Sequence, residues 1–108
     1  MVSDNEFKEN IMCVVNNDVE GLLVARNCYG ESWCRRGGVG AFMMLARKWD
    51  RIENQTEKCG WDIFDAIKQF SGKEGVLDDI RDLRRYLILV EEYILRMEEG
   101  KCHGSKTT

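Results

Sequence analysis

An all-α fold is the economical reading of this 108-residue sequence, and three observations carry it. Proline is absent altogether. Apolar residues recur at three- and four-residue intervals over two long runs, GAFMMLARKWDRIEN and VLDDIRDLRRYLILVEEYILRM. Val, Ile and Thr nowhere alternate with polar residues as a half-buried strand requires. With 44% hydrophobic content the chain is long enough for one core and too short for two. The expectation is one domain over residues 1–99, a bundle of four or five helices completed by oligomerisation, with a flexible tail over residues 100–108.

The elements follow in order. Phe7, Ile11, Val14 and Val15, then Val19, Leu22 and Leu23, have helical spacing. Asn16, Asn17 and Asp18 between them predict a break, with Asn17 or Asp18 capping a new helix. From Cys28 to Gly40 the periodicity dissolves into a loop that holds four of the ten glycines. The next helix is expected from about Val39 to about Asn54, a short one from about Trp61 to Phe70, and the last from about Val76 to Glu99.

Composition excludes several classes. A net charge of −3 gives no support for duplex nucleic-acid binding. No stretch approaches the ~18 apolar residues of a membrane span, and MVSDNEFKEN lacks the build of a signal peptide, so a cytoplasmic location is expected. Cys13, Cys28, Cys34, Cys59 and Cys102 form an odd set without a C-x-x-C pair, which reads as free thiols. His103 is the single histidine, and Cys102-His103 falls in the expected tail, far from any acid-base chemistry.

Four carboxylates stand where a helix ought to be greasy. On one helix Phe42, Met43, Leu45, Ala46, Trp49 and Ile52 share an arc, and Asp50 and Glu53 fall on it. On the last helix Val76, Ile80, Leu83, Leu87, Val90, Ile94 and Met97 make a stripe that contains Asp79, with Asp82 at its edge beside Tyr86. Spacing of i and i+3 sets each acidic pair on one face. Packed antiparallel, the two helices would carry both pairs toward a shared interface, where like charges repel and a cation is needed. Two facing pairs make an oxygen cage suited to Mg²⁺, able to position a diphosphate and activate water. Ion pairing is the alternative, since Arg47, Lys48, Arg51, Arg81, Arg84 and Arg85 are all close by. Lys48 and Arg51 lie opposite the apolar arc and are expected to reach solvent or a neighbouring subunit. Asp78 with Arg81 and Arg85 is expected as a solvated cluster.

The loop YGESWCRRGGVGAF is a second constellation. Gly37 and Gly38 ahead of a helix let backbone N–H groups approach phosphate. Arg35 and Arg36 offer bidentate donors, and Tyr29 and Trp33 offer flat faces for a base. The alternative is a flexible connection whose Tyr29 and Trp33 plug the core. The glycine spacing matches neither a Walker A loop nor the dinucleotide fingerprint.

The strings YGESW, GGVGAFMMLARKWDRIEN and DDIRDLRRYLIL resemble the phage and bacterial nucleotide modification associated domain family of small helical proteins, over roughly residues 18–95. The acidic spacing is also similar to the MazG-type all-α nucleotide pyrophosphohydrolases. That resemblance implies Asp50, Glu53, Asp79 and Asp82 as ligands of Mg²⁺, Asp79 and Asp82 as the catalytic pair, and Lys48 or Arg51 near phosphate. The expected function is binding of a nucleotide or nucleotide-derived phosphate by Tyr29, Trp33, Arg35, Arg36, Gly37, Gly38, Lys48, Arg51 and Tyr86, with hydrolysis of a phosphoanhydride if catalytic. A non-catalytic phage sponge for a nucleotide second messenger of host defence, acting in host cytoplasm, is the alternative. An interaction protein whose charges pair across an oligomer is the third reading.

Overall fold

A computed structural model describes residues 1–102, with side chains through Glu98. Among the described residues there are four α-helices and one 3₁₀ turn: α1 (Asp4–Tyr29), the turn (Ser32–Cys34), α2 (Gly37–Glu57), α3 (Ile63–Gln69) and α4 (Val76–Cys102). No strand occurs among the described residues. His103 and residues 104–108 of the expected tail lie outside the described residues, as does the Cys102 side chain.

Local chemistry sets the ends. The Ser3 hydroxyl accepts from the Glu6 N–H at 3.1 Å, and Asp4 and Glu6 place negative charge at the start of α1. Gly30, at φ 61°, closes that helix by donating its N–H to the Arg26 carbonyl. Gly37, at φ 74°, begins α2 two residues ahead of the expected Val39. The Thr56 hydroxyl donates to the Ile52 carbonyl at 2.7 Å, and α2 runs past Asn54 to Glu57. The Asp62 carboxylate caps α3 by accepting from Phe64 and Asp65.

The expected break at Asn16 to Asp18 does not occur, and α1 is one rod. Asp18 is buried, and its carboxylate is held by Arg84 and Arg85 instead of a backbone N–H. A side chain so engaged cannot act as the cap that its residue type favours.

Arg51 bonds to Asp79 and Glu74 while Lys48 reaches Asp82, so α2 and α4 run antiparallel. Asp18 meets Arg84 and Glu31 meets Arg96, which makes α1 parallel to α4. Only Ile52, Ala66 and Val76 are fully buried apolar residues among those described. Every residue from Met1 to Asn17 is exposed. The chain leaves 8519 Å² accessible, where a folded monomer of this mass leaves about 6,200 Å². Its radius of gyration is 16.6 Å against about 13 Å for a globular domain of this length.

Candidate functional site

The seam between α2 and α4 is ionic. Arg51 Nε donates to Asp79 Oδ1 at 3.0 Å, and its Nη2 donates to the Glu74 carbonyl at 3.0 Å. Lys48 Nζ lies 3.0 Å from Asp82 Oδ2 and 3.9 Å from Asp79 Oδ1. Asp79 is 1% exposed, and its Oδ2 has no hydrogen-bond partner among the described residues. The Asp79 carboxylate raises the Arg51 guanidinium above its ordinary pKa, which fixes the cationic form. Asp78 pairs with Arg81 at 2.9 Å, as expected for that cluster, while Arg85 turns to Asp18. Together these groups line a cleft of about 290 Å³.

Asp50 and Glu53 are exposed on the outer side of α2. Lys48 and Arg51 mark the face of α2 that meets α4, and the buried or half-buried Met44, Leu45, Ile52 and Gln55 lie on the same side of the helix, roughly 100° from the centre of the expected arc. Phe42, Met43 and Trp49 consequently face outward, and so do the acids that share their arc. Lys48 and Arg51, expected to reach solvent or a neighbouring subunit and named among the cations of the ion-pairing alternative, supply the charges that Asp79 and Asp82 require. The structure brings Asp79, Asp82, Lys48 and Arg51 together and leaves Asp50 and Glu53 apart from them. Among the described residues no group of three or more His, Cys, Asp or Glu side chains is placed to hold a metal ion. Within one copy the side chains present do not fit a four-carboxylate Mg²⁺ cage.

A second cleft, of about 360 Å³, opens between α1, the 3₁₀ turn and α4. Tyr29, Trp33 and Tyr86 line it with Leu22 and Leu89, and Arg26, Glu31 and Arg96 stand at its polar end. Arg96 donates through Nη1 and Nη2 to both Glu31 oxygens at 3.0 Å, and through Nε to Glu92 at 3.0 Å. The same guanidinium lies 5.5 Å from the centre of the Tyr93 ring, which stands perpendicular to Trp33 with ring centres 6.1 Å apart. Arg96 holds the Glu31 carboxyl below the usual carboxylate range. Arg35 and Arg36, which link the 3₁₀ turn to α2, and Gly37 and Gly38, at the start of α2, are exposed and do not line this cleft. Tyr86, one turn beyond Asp82 on α4, lines this cleft and not the ionic one.

Sequence reasoning missed Arg26, Glu31, Arg96 and the Asp18 clamp. Asp18 continues the Phe7, Ile11, Val14 spacing, and an acid on that face was a legible signal. Arg26 and Arg96 sit in ordinary polar contexts, which hold no comparable signal. No family model, curated protein or solved structure matches this chain.

Proposed function

We propose that this protein is a helical homo-oligomer that captures a nucleotide or nucleotide-derived phosphate without turning it over. The observation that supports the reading is the convergence of Tyr29, Trp33 and Tyr86 with Arg26 and Arg96 in one cleft of about 360 Å³. Aromatic faces suit a base, guanidinium groups suit phosphate, and pockets of roughly 300–1,000 Å³ hold ligands of that size. Glu31 occupies Arg96 in the free protein, so an anionic ligand enters by exchange for that carboxylate. The exposed apolar surface supports the oligomeric part of the reading. A phage sponge for a defence messenger is the biological setting that agrees with such capture.

Nucleotide pyrophosphohydrolysis is the second reading, and the partnerless Asp79 Oδ2 beside Asp82 favours it. It would need Mg²⁺, and the engaged Arg51 and Lys48 together with the outward Asp50 and Glu53 weigh against that.

The test is incubation with nucleoside triphosphates, cyclic nucleotides and ADP-ribose derivatives plus Mg²⁺, followed by chromatography before and after heat denaturation. Capture predicts a compound that vanishes and returns intact, with Trp33→Ala weakening it at least about tenfold, the cost of one lost stacking contact. Conversion to monophosphate and pyrophosphate, abolished by Asp79→Asn, establishes the second reading. A panel recovered untouched at every step overturns both.

A further inference from the structure

The first half of α1 is the clearest orphan in the molecule. From Asp4 to Asn17 it is fully helical with every side chain exposed, Phe7 at 58% and Ile11 at 45% among them. Isolated helices shorter than ~12–15 residues are marginal in water, so a stretch whose one hydrogen bond to another helix among the described residues is from Arg85 to its last carbonyl, that of Asn17, needs a cover. Phe7, Ile11 and Val14 advance by four and three, the seam spacing of packed helices.

A second orphan lies on α2, where Val39, Phe42, Met43 and Trp49 are all more than half exposed. Arg35 and Arg36 stand at the start of this face and Arg47 on its flank, and no ion pair joins them to another described residue. The start of α1 has the opposite sign, with Asp4, Glu6 and Glu9 against Lys8.

We propose that the α1 segment Asp4–Asn17 of one copy lies on the Phe42, Met43 and Trp49 face of a second copy, and that the contact is returned by two-fold symmetry. This names the interface of the oligomer proposed above and rests on that oligomer existing. The segment runs parallel to the α2 it covers. Its acidic start then lies over Arg35 and Arg36 and far from Asp50 and Glu53, which would repel it. An isologous exchange uses both orphan faces of both chains.

Light scattering after gel filtration tests the proposal on the full chain. Wild type is expected at twice the 12.5 kDa chain mass, and Ile11→Asp and Trp49→Asp each at the single mass. Both substitutions fall on exposed positions, and circular dichroism checks that helicity survives. Mixing the two monomeric variants then restores a dimer, because one of the two symmetric contacts is intact in the mixed pair. A wild type that runs as a monomer overturns the oligomeric reading and the inference together. A dimer that persists in either variant, or a mixture that stays monomeric, overturns the inference alone.

Discussion

Arg84 grips Asp18 through two nitrogens, Nε on Oδ2 and Nη2 on Oδ1 at 2.8 Å, across 66 positions of chain. Arg85 adds a third bond at 2.8 Å and reaches the Asn17 carbonyl. Asp18 is buried, and the apolar contact between α1 and α4 around it is thin, so this clamp fixes where α1 crosses α4. Asp18→Ala leaves two guanidinium groups without their anion. Removing one partner of a buried pair costs about 3–5 kcal/mol, and the partial exposure of both arginines reduces that to about 2–3 kcal/mol. Urea unfolding at constant protein concentration measures it, and a loss under about 0.5 kcal/mol would show that the clamp does not hold α1.

The same clamp makes stability depend on acid. Arg84 above all, with Arg85, holds the Asp18 carboxyl down at about 2 against an ordinary 3.8. A depressed carboxylate contributes stability that is fully present above about pH 3.8 and lost as pH falls through about 2. With solvent screening of the guanidinium groups the contribution is about 1–2 kcal/mol. Glu31, held low by Arg96, acts in the same direction. Urea midpoints followed downward from about pH 4 should fall less in Asp18→Asn than in wild type; parallel curves would remove Asp18 from the account.

On α2, neighbouring charged residues should behave oppositely. Arg51→Ala leaves the buried Asp79 carboxylate with only Lys48, at 3.9 Å, and should lower the urea midpoint clearly. Asp50→Ala and Glu53→Ala remove solvated groups and should stay within about 0.5 kcal/mol. Equal costs at all three positions would mean that α2 presents a different face to α4.

That contrast also shows what was legible in the sequence. The existence of α2, α3 and α4, the start of α4 at Val76 and the need for cations near Asp79 and Asp82 follow from spacing and desolvation alone, whereas the continuity of α1 through Asp18 does not. The rotation of α2 does not. Its two candidate faces are both partly apolar, and a wheel drawn for one chain assigns the greasier arc of Phe42, Met43 and Trp49 to the core. In the structure Lys48 and Arg51 win the inner face, because Asp79 and Asp82 on α4 must be neutralised there. The clefts depend on which helices neighbour one another, and no local pattern encodes that α1 runs beside α4.

The link from α3 to α4 rests on a missing side chain. Gly75 is buried, and it precedes a Val76 N–H that donates to the Phe70 carbonyl at 3.0 Å. A Cβ at Gly75 would sit 3.0 Å from the Phe70 carbonyl carbon and closer still to its oxygen. That neighbour is backbone and cannot yield without breaking the bond to Val76, so Gly75→Ala should cost about 2 kcal/mol, in the range of other forced overlaps. Gly38, in the first turn of α2, has open space where its Cβ would be and an ordinary φ. There the same substitution should stabilise by about 0.5–1 kcal/mol, through the unfolded chain's lost freedom and alanine's helix propensity. Thermal unfolding of the two variants side by side checks the pair. Opposite shifts in Tm are expected, and a Gly75→Ala protein as stable as wild type would mean that the turn before α4 is looser than this geometry requires.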